Sequence, residues 1–237
     1  MTLAQNYDVV AAEYYDAQLH PTCANFRSAS SCLIERFLQR VPTDGRRVVE
    51  FGAGRSVVAE ILLRQCVGLE TLTLIDQSVA MLEYSRRFEE FGAKLIVSAA
   101  EQLPLEAGSV DVGVACLGDP YNASAFWSEV FRVLRPGGLM YYTTPSYEWS
   151  SAFRVGSDDM YVAEFRLRDS SIAYMPSIVV GRESQTAMIE SSRLKIAEYN
   201  AVRLDELNDI NISPKLLIDG RTNLEIVSGY LSVKPHG

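Results

Sequence analysis

The sequence predicts an α/β fold: a doubly wound, seven-stranded, mostly parallel sheet that ends on an antiparallel C-terminal strand. Three observations point to it. Between residues 46 and 146, short apolar runs alternate with helical spacings, the pattern of βαβ units with right-handed crossovers. The first run leads directly into a glycine-rich turn, Gly52-Ala53-Gly54. Two further β-like runs lie near the end of the chain, too far apart for a tight hairpin but able to pair.

In order, residues 1–45 have a helical rhythm. Arg46 to Phe51 is the first strand, and Val57 to Gln65 carries apolar residues at helical spacing. Leu69 to Ile75 is the second strand and ends at Asp76. Val79 to Phe91 is a helix with Gly92 as its C-cap. Lys94 to Val97 is the third strand, and Val110 to Cys116 the fourth, apolar on both faces as a covered parallel strand should be. Ala123 to Leu134 is a helix stopped by Pro136-Gly137-Gly138, and Leu139 to Thr144 is the fifth strand. Val162 to Leu167 and Ile172 to Met175 flank the turn Arg168-Asp169-Ser170-Ser171 and read as a hairpin. Arg182 to Ser192 is helical, and Leu194 to Val202 and Leu224 to Val233 are the last two strands.

With 237 residues, 48% hydrophobic and 22% charged, the chain reads as a single domain over 1–237 that needs neither disulfide nor metal to hold its core. No apolar run reaches the ~18 residues of a membrane helix, so no membrane partner is expected. Met1 to Val10 lacks the basic start of a secretion signal, which predicts a cytoplasmic location. Cys23, Cys32, Cys66 and Cys116 then read as free thiols, each a small buried hydrophobe. They form no CxxC pair, and His20 and His236 are the only imidazoles, so no metal site is expected. The net charge of −8 repels a phosphate backbone and favours a small-molecule partner over nucleic acid.

The chemistry is concentrated at Val48-Val49-Glu50-Phe51-Gly52-Ala53-Gly54-Arg55-Ser56. Glycines let the backbone turn sharply and approach a ligand closely. Asp76 lies 22 residues beyond Gly54, at a strand end, where a carboxylate can accept hydrogen bonds from both hydroxyls of a ribose. A dinucleotide site would want a third glycine, where this chain has Val57. Glu50 would also repel a pyrophosphate, whereas it suits a cationic ligand.

Glu50-x-Gly52-x-Gly54 resembles the first motif of the class I S-adenosylmethionine (SAM)-dependent methyltransferases, and further matches follow in that family's order. Leu74-Ile75-Asp76-Gln77-Ser78 with Met81-Leu82 is similar to D-x-S-x-x-M-L. Ser98-Ala99-Ala100-Glu101-Gln102-Leu103-Pro104-Leu105 is similar to G-D-A-E-x-L-P-F. Arg132-Val133-Leu134-Arg135-Pro136-Gly137-Gly138 is similar to R-V-L-x-P-G-G. Tyr7-Asp8-x-x-Ala11-x-x-Tyr14-Tyr15-Asp16 resembles the N-terminal Y-D-x-x-A-x-x-Y-D.

The resemblance implies a Rossmann-like fold with a SAM-binding core over 46–146 and an N-terminal helical lid over 1–45. It also implies S_N2 transfer of a methyl group to a small-molecule acceptor, leaving S-adenosylhomocysteine. Gly52, Ala53 and Gly54 would line the methionine moiety, and Glu50 would orient its ammonium. Asp76 would hold the ribose, with Gln77 and Met81 beside the adenosine. Ala100, Glu101 and Gln102 would border the adenine, and Cys116 and Leu117 would face the sulfonium. Tyr7 and Tyr14 would close over the cofactor. Ala99 stands where the family often has an aspartate that binds the adenine amino group, and Ser56 where a third glycine is common.

Outside these motifs, His20 is the one imidazole near the expected site and the candidate general base. Tyr121, Tyr147 and Trp149 follow strands four and five at the carboxyl edge of the sheet and are candidate substrate-pocket walls. Asp119-Pro120-Tyr121 reads as a plain turn. Residues 147–183, with Phe153, Met160, Tyr161, Phe165, Tyr174 and Met175, form an insert that caps the pocket or serves a homodimer, and 184–237 supply the C-terminal helix and strands. The alternatives are a nucleic-acid methyltransferase and a non-catalytic SAM-binding protein.

Overall fold

The computed structural model describes residues 3–154, 161–208 and 211–236; Met160, expected in the insert, lies outside them. The chain opens with helices α1 (Leu3–Val10) and α2 (Pro21–Arg40). Strands β1 (Val48–Phe51), β2 (Leu72–Asp76), β3 (Lys94–Val97), β4 (Val110–Ala115) and β5 (Leu134–Pro145) follow, separated by helices α3 (Val57–Arg64), α4 (Val79–Leu82) and α5 (Ser124–Val133). A short helix α6 (Tyr147–Ser150) leads to a separate hairpin of β6 (Val162–Arg166) and β7 (Ile172–Pro176). Helix α7 (Arg182–Ser191) precedes β8 (Lys195–Arg203) and β9 (Glu225–Val233). The seven-stranded sheet has the order β3-β2-β1-β4-β5-β9-β8, parallel from β3 to β5, with β9 antiparallel to both β5 and β8.

Adjacent strand residues face opposite sides of the sheet, and each side is covered. On one side the Tyr141 ring stacks on Phe37 of α2, with 4.6 Å between centroids and 6° between planes. On the other, Tyr142 meets Trp127 of α5 edge-on at 5.0 Å. All four rings are buried, so α2 and α5 clamp the sheet from its two faces.

Four elements differ from expectation. Leu69 is outside β2: its carbonyl accepts the Leu72 N–H at 2.9 Å in a turn, and it is apolar because it packs into the core. The helix expected over Val79–Phe91 is α-helical only to Leu82 and a 3-10 helix from Glu83 to Phe91. The buried residues of the 3-10 helix are Ser85 and Phe88, and their spacing of three matches the three-residue turn. Strand β5 begins at Leu134 and runs through Pro136-Gly137-Gly138 instead of starting after them. The end of β9 explains this. The Gly137 N–H donates to the Lys234 carbonyl at 2.8 Å and the Lys234 N–H to the Gly138 carbonyl at 3.0 Å, and Lys234 Nζ donates to the Phe131 and Leu134 carbonyls at 2.7 Å, closing the end of α5. Finally, Cys32 and Cys66 are exposed, not buried. Cys66 takes the left-handed position after α3 (φ 58°), where its N–H bonds the Leu63 carbonyl and that of Val67 the Leu62 carbonyl.

The turn between β1 and α3 is built on Glu50, which is fully buried. Its carboxylate accepts hydrogen bonds from the Ser56 hydroxyl, the Val57 N–H (3.1 Å) and the Val58 N–H (3.3 Å). Ser56 is the N-cap of α3 and accepts the Ala59 N–H at 2.9 Å. Ser85 ties the next layer down, donating to the Gly54 carbonyl at 2.6 Å and accepting the Ser56 N–H at 2.9 Å. Burial raises the Glu50 carboxyl from 4.5 to about 7, although these donors pull it back.

Replacing Phe37 by alanine is expected to cost about 3–5 kcal/mol of stability in urea unfolding, since it removes one of the stacked rings from a closed core. A cost below ~1 kcal/mol would show that α2 is not anchored there. For Glu50, a folded-state pKa above the unfolded one gives stability that is fully present below pH 4.5 and lost as pH rises through about 7. Between pH 5 and pH 8 this group alone should remove roughly 2–3 kcal/mol. Glu50→Gln should show a correspondingly flatter pH dependence in the same measurement, and an unchanged slope would contradict the assignment.

Candidate functional site

In open α/β sheets, ligands bind beyond the carboxyl ends of the strands, where the strand order reverses. Here that point lies between β1 and β4. A cavity of about 640 Å³ occupies it, lined by Gly52 and Ala53 after β1, Asp76 and Gln77 at the end of β2, and Cys116 and Leu117 after β4. Met81 of α4 and Ala100 complete the sheet side, while Tyr7, Tyr14, Tyr15 and Arg27 come from the N-terminal segment. A second cavity, of about 480 Å³, shares Tyr7, Tyr14, Cys23, Leu117 and Pro120 with the first and continues under the β6–β7 hairpin.

The glycine turn has little freedom. Gly52 adopts φ +60°, and a Cβ there would lie 2.7 Å from the Tyr121 ring. That ring is itself fixed by its hydroxyl, which donates to the Phe51 carbonyl at 2.8 Å. Gly54 adopts φ +42°, with the Tyr15 hydroxyl packed against it, and this hydroxyl accepts the Arg55 N–H at 2.7 Å. Asp76 accepts the Gly54 N–H and the Ser78 N–H, each at 2.9 Å, so one carboxylate joins the ends of β1 and β2. Burial pushes Asp76 up to about 6 and the two N–H groups draw it down, which leaves it ionised at pH 7.

The N-terminal segment is tied across this turn. The Ser78 hydroxyl donates to Asp8, and the Tyr84 hydroxyl donates to the Ala11 carbonyl at 2.7 Å. Burial holds the Tyr7 and Tyr14 phenols well above their ordinary range, so both are neutral. Leu117 stands at φ +55°, an uncommon conformation for a non-glycine residue. Thr143 of β5 holds it there, accepting the Leu117 N–H on Oγ1 and the Gly118 N–H on its carbonyl, both at 2.9 Å.

The second cavity is aromatic and contains a buried acid. Phe165 of β6 stacks on Tyr14 at 5.6 Å and lies 3.9 Å from the His20 ring. The His20 Nε2 is buried without a partner among the described residues, and burial lowers its pKa. Trp149 packs against Phe26 at 4.7 Å and donates to the Lys215 carbonyl at 2.9 Å. Asp119 is buried and accepts the Ser177 hydroxyl at 2.6 Å; Arg154 donates to that hydroxyl at 2.7 Å. Burial raises Asp119 to about 6, against the pull of Ser177 and Arg154.

Of the residues expected from sequence, Tyr7, Tyr14, Gly52, Ala53, Asp76, Gln77, Met81, Ala100, Cys116, Leu117 and Tyr121 meet in the first cavity. His20 and Trp149 line the second, together with Tyr7, Tyr14 and Leu117. Glu50, Gly54, Glu101, Gln102 and Tyr147 lie outside both linings. Glu50 sits beneath the turn, Gln102 is exposed in the turn after Ser98, and Tyr147 is 48% exposed at the start of α6. Sequence reading missed Tyr15, Arg27 and Asp119. Tyr15 stands inside the N-terminal motif beside Tyr14, and Asp119 inside a segment read as a turn that is a one-turn 3-10 helix. Arg27 lies on a long helix with no local motif to mark it.

This donor set fits a cationic nucleoside. An ionised Asp76 can meet a ribose diol, Gly52 and Ala53 leave room for a chain against the turn, and the volume lies within the ~300–1,000 Å³ of cofactor pockets.

Residues 49–142 match the family model of a methyltransferase domain. No curated protein sequence matches the chain. Among solved structures, it is similar to a candidate methyltransferase in complex with the Haloferax volcanii methyltransferase activator Trm112 (TM-score 0.67, 19% identity, 100% of this chain and 99% of that one). It is also similar to SAM-dependent methyltransferases from Methanosarcina mazei (TM-score 0.60, 17% identity, 85% and 98%) and Clostridium acetobutylicum (TM-score 0.64, 13% identity, 97% and 99%). At these identities the structural likeness is one of fold. Residues 49–142 are thus similar to a methyltransferase domain, and the fold in which they lie is that of the SAM-dependent methyltransferases.

Proposed function

We propose that the protein transfers the methyl group of SAM to a small-molecule acceptor held in the second cavity. The observation that carries this reading is the wall shared by the two cavities, formed by Tyr7, Tyr14, Cys23, Leu117 and Pro120. Ligands on its two sides would meet there. SAM, when bound, supplies an electrophilic methyl group on a sulfonium. The chain's part is to position and to exclude water.

In this reading Asp76 accepts hydrogen bonds from the ribose, and Gln77, Met81 and Ala100 flank the adenosine. Gly52 and Ala53 offer backbone to the methionine moiety, and Tyr7 and Tyr14 cover the reacting centre. Glu50 acts from below, as a positioning residue that fixes the glycine turn. His20, which lines the second cavity, is the candidate proton acceptor. The net charge of −8 favours a small acceptor over a polynucleotide.

Calorimetric titration with SAM, S-adenosylhomocysteine and NADH tests the reading. Micromolar binding of the first two, about −8 kcal/mol, is expected, with none of NADH. Asp76→Ala should weaken S-adenosylhomocysteine by roughly tenfold to a hundredfold, the loss of a charged hydrogen-bond acceptor, with thermal unfolding checked in parallel. Absence of binding to either SAM compound would overturn the cofactor site. Binding without methyl transfer to any acceptor would favour a non-catalytic SAM-binding protein.

A further inference from the structure

The second cavity has a chemistry that most small acceptors do not need. On one side Tyr14 and Phe165 lie parallel, 8° apart, with His20 against the Phe165 ring. In the same cavity stands the carboxylate of Asp119, whose residue is only 8% exposed. Glu164, Arg166 and Lys215 also line it, but from exposed positions, and half-buried Arg154 lines it beside Ser177. A buried carboxylate is expensive to keep unless it meets donors or positive charge.

Asp119 is held firmly. Ser177, at the end of β7, donates to one carboxylate oxygen, and the Asp119 carbonyl accepts the Ile178 N–H at 2.8 Å. Three residues on, the Asn122 amide bonds the Ile178 carbonyl (2.9 Å) and Gln185 (2.7 Å), and its carbonyl oxygen accepts the Trp127 indole N–H (2.9 Å). The segment after β4 is therefore locked to the segment after β7, and the carboxylate is presented in a fixed place.

We infer that the acceptor is an amine whose nitrogen faces Asp119, with the rest of the molecule against the aromatic wall. This rests on the methyl-transfer reading above. The electron count supports it. The lone pair of a neutral amine forms the N–C bond while the S–C bond breaks and sulfur keeps that bond's pair. One positive charge leaves sulfur and one appears on nitrogen; an acceptor that arrives as an ammonium first gives one proton to solvent. Charge thus moves from the first cavity into the second, toward Asp119, where a preorganised carboxylate stabilises it as it develops. Aromatic faces attract the same cation. An alcohol or carbon acceptor ends neutral after losing its proton, and adds no charge for the carboxylate to stabilise beyond that of Arg154.

The test is calorimetry with 2-phenylethylamine, its N,N,N-trimethyl derivative and 2-phenylethanol as probes, with and without S-adenosylhomocysteine, followed by methyl-transfer assays on a panel of arylalkylamines and their matching alcohols. Both nitrogen probes should bind roughly tenfold or more tightly than the alcohol, the margin of a charge-assisted contact plus a cation–π contact. Asp119→Asn keeps an oxygen for the Ser177 hydroxyl and should reduce that preference to about threefold or less, with S-adenosylhomocysteine affinity and melting temperature unchanged. Equal binding of alcohol and amine, an undiminished preference in Asp119→Asn, or no binding by any panel member would each overturn the inference. Should the variant not fold, the wild-type preference decides alone. Failure of S-adenosylhomocysteine to bind would instead overturn the cofactor reading, and the titrations without it would still judge the amine site.

Discussion

The position of the glycine turn depends on a carboxylate that is not part of its surface. Glu50, next to last in β1, lies beneath the turn and takes two amides and a hydroxyl from the start of α3. Those amides have no partner within their own helix, and the helix dipole favours an anion there. The arrangement fixes where α3 begins, and therefore the path of the chain between Phe51 and Ser56. Over that path Gly52 and Gly54 must take positive φ, and Asp76 can reach the Gly54 N–H. An ionised Glu50 is disfavoured by burial, as its raised pKa records. A cation bound in the adjacent cavity would favour the ionised form, which would couple the turn to such a ligand.

The rest of the molecule closes around that turn from two directions. The N-terminal segment crosses it through Tyr15 and through the Asp8–Ser78 and Tyr84–Ala11 contacts. The β6–β7 hairpin then lies against the N-terminal segment. Arg168 in its turn pairs with Asp16 at 3.3 Å, and its N–H donates to Glu13 at 3.0 Å. Arg168 is 71% exposed, so its ion pair adds little. The stacking of Phe165 on Tyr14, both close to a buried Val10, is the firmer link. The insert after β5 thus serves as a wall of the second cavity.

The parallel core was legible because its signals are local. An apolar run, a glycine turn and a carboxylate at the next strand end are read within 30 residues, and the structure has them at the ends of β1 and β2. What escaped was set by distant partners. The 3-10 geometry after Leu82 follows from what Ser85 and Phe88 pack against, and the early start of β5 from Lys234, about a hundred residues away. Asp119 reads as a turn residue in sequence, and only its bond to Ser177, 58 residues on, makes it part of a cavity. Arg27 enters the first cavity because α2 lies across the sheet, where it pairs with Glu60 at 3.3 Å and stands over the Tyr15 ring. None of these has a short-range pattern.

The shared wall also has to avoid reacting with what it separates. Two of its neighbours are thiols, Cys23 and Cys116, and a thiolate beside an electrophilic methyl group would itself be alkylated. Burial raises both to about 11, Cys23 with the further push of Asp119, so each is held as the unreactive thiol at neutral pH. Tyr7 and Tyr14 are kept protonated by the same desolvation. The middle of the double cavity is therefore neutral and weakly nucleophilic, while Asp76 and Asp119 put negative charge on either side of it. Such a distribution offers no competing nucleophile between the two ends. On the proposed reading, the shared wall would then leave the methyl group to a nucleophile from the second cavity.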